Sequence, residues 1–326
     1  MQNEYLKARA AELFAQLHVP YHEHFLPYVE EGLEMHAQWK DYVFDKERIC
    51  RLEDTYHIFG DCLDVVLESA DIIRKDDAYS RLCYIIISFL KQKGPLQELQ
   101  LPDKGSLTSE FVGLFAILYF VEEFVEDCEK RGIPQEIMQK TLGGINCIRK
   151  NKELTGYPGI GMYLTWLAVY ARREIYHINN FSFQFGRKYK DKDVVSVHIP
   201  KGTDLSTEKV IRDFAEAEVF FKTYFPEYRF SGFICYSWMM NPELEEIMGR
   251  KTKVSQFGDL FERYEIETTG TGVYRFVYNL PNPVPPETLC ENTSMQRAIK
   301  SYLLKGNIFK EYGGFRAWSE EELADR

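Results

Sequence analysis

The sequence predicts an α+β chain, with an all-helical N-terminal domain over residues 1–172 and a mixed-sheet α/β domain over residues 173–326. Three observations carry this reading. Apolar residues recur at the 3.6-residue helical period through the first part, where no long run alternates as a strand does. Near residue 173 the pattern changes, and Phe181, Phe183 and Phe185 alternate with Ser182 and Gln184. Finally, 326 residues exceed a usual single core, and a hydrophobic content of 45%, with 23 Phe and 21 Tyr, is enough to fill two.

The helices follow in order. Tyr5 to about Leu17 is amphipathic and stopped by His18-Val19-Pro20. A second helix is expected from about His24 to Trp39, and a third over Arg48–Ile73 with an interruption at Gly60. Asp76–Lys93 and Ser106–Lys130 show the strongest periodicity; in the latter, residues from Phe111 to Val125 line one face and Gly132-Ile133-Pro134 ends the helix. Gln135–Asn151 reads as a further helix. After the break at Gly156-Tyr157-Pro158-Gly159-Ile160-Gly161, an apolar helix runs through Trp166 to Arg172.

In the second part Glu174–Arg187 reads as one strand and Val194–Ile199 as another. Pro200–Asp204 leads into a helix capped near Ser206, which carries Val210, Phe214, Phe220 and Phe221 and ends before Pro226. Phe230–Cys235 is a third strand, entering a helix that starts near Asn241-Pro242. Gln256–Tyr264 reads as helix, Gly272–Asn279 as strand and Asn292–Gly306 as a last amphipathic helix, with Gly313-Gly314 opening a short tail.

A net charge of -10 and an isoelectric point near 5.4 disfavour nucleic acid and membrane surfaces as partners. Leu82–Leu90 and Phe111–Val121 are too short to span a bilayer, and the opening MQNEYLKARAAELF is amphipathic rather than secretory. The seven cysteines are scattered without a CxxC pair, as suits reduced, buried thiols in a cytoplasmic protein. No Walker A loop, GxGxxG, GxSxG or HExxH occurs. His22-x-His24 lacks a third ligand, so no metal is expected; Glu122-Glu123 and Glu243/Glu245/Glu246 read as solvated helix faces.

Two strand-to-helix corners concentrate reactive side chains. One runs from Ser196 through His198 and Lys201-Gly202 to the helix start at Ser206-Thr207, where free backbone N–H groups, the Lys201 charge and close approach at Gly202 suit a phosphate. Packing alone also explains it, with His198 donating to a carbonyl. The other is Cys235-Tyr236-Ser237-Trp238, where a thiol, a phenol and a hydroxyl crowd together as candidate nucleophile or proton donor. Its simpler reading is an inert Cys235 beside a core Trp238.

SVHIPKGTDLSTEKV, FICYSWMMNPEL and NTSMQRAIKSYLLKGNIFKEYGGF together resemble the GNAT-like C-terminal domain of a bacterial group called acyltransferase domain-containing proteins. His198, Ile199, Pro200, Gly202, Leu205 and Ser206 match its first motif. Cys235, Ser237, Trp238, Pro242 and Leu244 match its second, with Asn241 at a common Asp position. Thr293, Ser294, Gln296, Arg297 and Ala298 match the third. The helical half is similar to the N-acyltransferase N-terminal domain that accompanies it. The resemblance implies transfer of an acyl group from acyl-CoA or acetyl-CoA, held between two splayed parallel strands, to an unknown small-molecule amine. It implies His198 as base, Tyr236 or Cys235 as donor or nucleophile, and Lys201, Gly202, Ser206, Thr207 and Arg297 around the cofactor phosphates. The Q/R-x-x-G-x-G/A turn that holds the pyrophosphate in GNAT enzymes has no match here. That keeps two further readings open: a non-catalytic binding module on a retained sheet, and a transferase served by an acyl carrier.

Overall fold

The computed structural model describes residues 2–102, 105–249 and 251–318. The chain divides into two compact units, Met1–Glu174 and Ile175–Arg326. Among the described residues of the first unit, regular structure is helical throughout: α1 (Gln2–Gln16), α2 (Leu26–Trp39), α3 (Lys46–Tyr56), α4 (Leu63–Lys75), α5 (Asp77–Lys91), α6 (Leu107–Leu118), α7 (Val121–Arg131), α8 (Gln135–Gly143), α9 (Ile148–Thr155) and α10 (Leu164–Ala171). Helices α5 and α6 form the centre. Residues Leu82–Leu90 of α5 and Ser109–Leu118 of α6 are buried on every face, so their apolar runs mark core helices rather than membrane spans. Each starts on a sequence-encoded cap: Asp76 accepts from the Ala78 and Tyr79 amides at 3.0 and 3.1 Å, and Ser106 accepts from Ser109 N at 3.1 Å. No helix of the described residues is long and apolar enough to cross a membrane.

The helix breaks are where periodicity falls short. The interruption expected at Gly60 is present; His57 closes α3 in the left-handed region and the Glu53 carboxylate takes the Phe59 and Gly60 amides. The helix expected over Ser106–Lys130 is instead two, parted at Tyr119-Phe120. The cause lies far away in sequence. Buried Arg48 donates through Nη2 to the Leu118 carbonyl at 2.6 Å and through Nε and Nη2 to the Glu122 carboxylate at 2.7 and 2.6 Å. The end of α6 and the start of α7 are therefore fastened to one guanidinium. Glu122 is the counter-ion of a buried arginine, not a freely solvated helix position. Gln135–Asn151 likewise divides, at Gly143-Gly144, where a Cβ on Gly144 would overlap the Tyr170 hydroxyl.

The second unit contains β1 (Ile175–Ile178), β2 (Phe181–Tyr189), β3 (Lys192–His198), α11 (Thr207–Tyr224), β4 (Gly232–Ser237), α12 (Leu244–Met248), α13 (Lys253–Asp259), β5 (Glu262–Glu265), α14 (Gly272–Phe276), α15 (Ser294–Leu304) and β6 (Tyr312–Ala317). They build the expected mixed sheet, in the order β1-β2-β3-β4-β6-β5. Among the described residues β3–β4 is its one parallel pair, and α11 makes the crossover that a parallel pair requires. One face of the sheet is aromatic and packs on α11: Phe181 and Phe233 lie 5.4 and 5.0 Å from Phe214, and Tyr176 lies 5.3 Å from Phe220, between ring centroids. A satellite core gathers Trp238, Leu244, Val273, Ile299 and Phe309.

Four segments differ from expectation. Glu174–Arg187 is a hairpin, turning at Asn179-Asn180 with Asn179 at φ 52. Ile178 pairs with Phe181, so across the two-residue turn the α11-facing positions pass from Tyr176 and Ile178 to Phe181, Phe183 and Phe185, a one-residue change of phase that marks the turn. Gln256–Tyr264 is helical only to Asp259; Arg263 then folds back onto the Gly258 carbonyl and the Asp259 carboxylate, and β5 follows. Gly272–Asn279 contains a short helix, because Val273 and Tyr278 both enter the satellite core while Phe276 faces out. Gly313-Gly314 belongs to β6, an interior strand rather than a tail: a Cβ on Gly313 would overlap the Tyr264 ring, and one on Gly314 would come within 2.8 Å of Met240 Sδ and Phe261.

Candidate functional site

The two reactive corners meet at one end of the sheet. Strands β3 and β4 are in register only at Val195–Phe233 and Ser196–Ile234. Beyond these pairs, Val197 and His198 continue in register with Phe183 and Ser182 of β2, and Cys235, Tyr236 and Ser237 with Gly314, Gly313 and Tyr312 of β6. The parallel ladder thus ends at Ser196–Ile234, and the two strands part at their C-terminal ends.

Pleat parity fixes what lines each wall. Ser196 pairs with Gln184 and Ile234, so Ser182, Gln184, Ser196, His198, Ile234 and Tyr236 share the sheet face opposite α11. His198 and Tyr236 each lie two residues past the last parallel pair, on the same sheet face at either side of the gap. His198 is partly buried, and its Nε2 lies 3.0 Å from Gln184 Oε1. Burial, and secondarily the positive Arg187, draw its pKa down to about 4, so the ring is unprotonated near neutrality. Tyr236 is 50% exposed, with its ring edge-on to Tyr264 at 6.4 Å. Gly313 lies in register between these tyrosines, and its missing side chain gives the Tyr264 ring its place.

Cys235 does not join this pair. One residue before Tyr236, it faces α11's side of the sheet, is 1% exposed, and has its pKa pushed up to about 12 by burial. A neutral thiol packed in a core is no nucleophile near pH 7. The short helix α12 starts only at Leu244, so no helix start at Pro242 activates it. Cys235→Ala is expected to leave turnover within about twofold while costing about 1 kcal/mol of stability; a loss of a hundredfold in an acyl-transfer assay would restore the thiol to the mechanism.

The loop after His198 is pinned but differs from the anion site expected of it. Thr203 Oγ1 donates to the Pro200 and Asn180 carbonyls at 2.7 and 3.2 Å, and Asn180 Nδ2 donates to buried Asp213 at 2.6 Å. This ties the loop to the β1–β2 turn and α11. Lys201 and Gly202 are exposed, with Gly202 at φ +87. Ser206 makes no side-chain cap. Its amide is taken instead by Asp204 Oδ1 at 3.1 Å, and the Asp204 carboxylate also accepts from Lys209 and Lys253 at 2.7 Å each. Lys209 first, then Lys253 and the Ser206 amide, hold this carboxylate well below its usual range. The start of α11, with Ser206 and Thr207, is therefore served by the protein's own anion. Arg297, on α15, donates to the Glu291 carbonyl at 2.8 Å, closing its own loop and lying in neither corner.

Much of the motif pattern is structural. Ser237 accepts the Met239 amide, Asn241 bridges to the Lys310 carbonyl, and Thr293 and Gln296 form a capping box on α15. Gln184 and Arg187 escaped the sequence reading of the site. The signal was present in one buried amide within the F-S-F-Q-F alternation. His22 and His24 stack on each other, and His24 bonds to Glu98 at 2.8 Å. Among the described residues no group of three or more His, Cys, Asp or Glu is placed to hold a metal ion.

Residues 173–316 match the family model of the GNAT-like C-terminal domain. Solved structures share the fold across the chain. An acyltransferase in complex with decanoyl-CoA and teicoplanin is 18% identical with a TM-score of 0.77, covering 95% of this chain and 99% of that one. A mutant acyltransferase in complex with octanoyl-CoA is 17% identical with a TM-score of 0.77, covering 98% and 100%. A third, an acyltransferase in complex with decanoyl-CoA, is 17% identical with a TM-score of 0.78, covering 95% and 99%. No curated protein matches the chain.

Proposed function

Since residues 173–316 form a GNAT-like C-terminal domain, we propose that this protein is an N-acyltransferase that moves an acyl group from an acyl-CoA thioester to an amine. The observation that carries the reading is the parting of β3 and β4, with His198 and Tyr236 on one sheet face at either side of the gap. The acyl-CoA complexes of the structural neighbours support it. In the reaction the amine nitrogen attacks the thioester carbonyl, a C–N bond forms and the C–S bond breaks. His198, unprotonated near neutrality, takes the proton shed by the amine, and the Tyr236 hydroxyl protonates the departing thiolate. Octanoyl and decanoyl groups in the neighbours favour a medium-length chain as the first donor to try.

A second reading is favoured by Asp204, whose carboxylate occupies the helix start that would otherwise receive a phosphate. On that reading the sheet binds a ligand without turnover. Calorimetry and thermal shift with acetyl-, octanoyl- and decanoyl-CoA, paired with thiol release over a panel of primary amines, separate the two. A ligand at a hundred times its Kd adds about 2.7 kcal/mol of apparent stability. Binding with amine-dependent thiol release is the expected result. Absence of a shift with any acyl-CoA at millimolar concentration rules out CoA as donor, and binding without thiol release from any amine favours the non-catalytic module.

A further inference from the structure

Strand β2 places a polar amide where its neighbours are aromatic. Gln184 lies between Phe183 and Phe185, is 2% exposed, and pairs with Ser196 so that its side chain shares a face with His198. An amide buried this far costs free energy unless it is hydrogen-bonded, and its partner is the imidazole: Oε1 lies 3.0 Å from His198 Nε2. An amide oxygen can only accept, and a neutral imidazole carries a single N–H.

We infer that Gln184 is a positioning residue that holds His198 as the Nε2–H tautomer, so that Nδ1 is the atom that takes the proton. This deepens the acyltransferase reading and rests on it for the role of His198, but not for the tautomer. The choice of a neutral amide has a chemical consequence. A carboxylate at position 184 would orient the ring equally well but would stabilise imidazolium and keep the base protonated. An amide orients without charging.

A bulge completes the arrangement. The β2–β3 register shifts between Gln184 and Arg187, with Gly186 at φ +80. Three residues along a regular strand would put Arg187 on the opposite face from Gln184; the shift pairs it with Val194, on the His198 face. The strand thus delivers a cation to the side where it disfavours imidazolium. From the neighbouring strands, His177 on β1, Arg187 on β2 and Tyr236 on β4 share this sheet face with the ring.

Long-range ¹H–¹⁵N spectra of the full-length, ¹⁵N-labelled protein test the inference without any activity readout, with His198 assigned by loss of its signals in His198→Gln. The Nε2–H pattern at pH 7 is expected, and an Nδ1–H pattern overturns the inference. In near-isosteric Gln184→Glu, the His198 titration midpoint should rise by about one pH unit or more, and the acidic limb of thiol release should move with it. An unmoved midpoint also overturns the inference. Should Gln184→Glu not fold, the wild-type tautomer decides alone. If the Nε2–H tautomer is found while His198→Gln retains full thiol release, the positioning stands and the acyltransferase assignment of His198 falls.

Discussion

Replacing His198 with Gln is expected to lower kcat for acyl transfer by about a hundred- to ten-thousand-fold, the range over which a positioned general base contributes. Affinity for acyl-CoA should change little, because the role proposed for His198 is on the amine rather than on the thioester carrier. Single-turnover thiol release together with calorimetry separates the two quantities, and full turnover in the variant would remove His198 as base. The wild-type pH profile carries a second part of the same expectation. With its pKa drawn down to about 4, chiefly by burial and then by Arg187, His198 is in its base form at any pH above that value. kcat/KM should therefore hold through pH 6.5, where an ordinary histidine loses its activity as base, and fall as pH drops through about 4. The sign for stability follows from the same shift. Between about 4 and 6.5 the unfolded chain binds a proton at this position and the folded chain does not, so His198 costs the fold stability progressively as pH falls below 6.5. A profile with its acidic limb at 6.5 would show that the ring is not held as described.

The largest stability effect is expected at Glu110 in the helical unit. This carboxylate, 6% exposed, accepts from Asn151 Nδ2 at 2.9 Å, from Gly161 N at 3.2 Å and from Gly105 N at 3.3 Å. Its own backbone carbonyl accepts from Ile160 N at 2.7 Å. The Gly159-x-Gly161 segment is shaped to this contact: Gly159 sits at φ +126, and a Cβ there would come within 2.5 Å of Glu110. One buried acid thus joins the start of α6, helix α9 and the loop entering α10. Glu110→Ala leaves three donors without their acceptor, at about 1–3 kcal/mol for each that stays buried. A loss of about 3–5 kcal/mol is expected, read from urea unfolding of the helical signal, with Glu110→Gln retaining part of it. A change below about 1 kcal/mol would show that water replaces the carboxylate without penalty.

The helical half was legible because its core helices are apolar at helical spacing and start on Asp76 and Ser106, which are local signals. Its breaks were not, since the one after Leu118 depends on Arg48, 70 residues earlier in the chain. In the sheet, the Asn179-Asn180 turn was marked only by a one-residue change of phase between Ile178 and Phe181, and β6 was hidden because it carries Gly-Gly, where Tyr264 and Met240 supply the packing that side chains usually would. His198 and Tyr236 could be read as two corners, but only the parallel register makes them one site. Cys235 was misplaced by a single step along a pleat, which is the distance between a solvent-facing wall and a core. Motif residues outside the two corners are structural: Trp238 packs in the satellite core as its simpler reading has it, Asn241 bridges to the Lys310 carbonyl and Gln296 caps α15.

The β4 wall also has a place in time. The three residues that part from β3 continue in register with β6, and β6 is Tyr312–Ala317, some 75 residues further along the chain. During synthesis the His198 wall and its α11 crossover can form while β4 still presents a bare strand edge, and the Tyr236 wall closes only when the last described strand has left the ribosome. A product that stops short of Tyr312 would expose that edge to pairing with other chains. The order of the strands in the sequence thus makes completion of the β4 wall wait on β6, and leaves a copy lacking β6 prone to aggregate rather than weakly active.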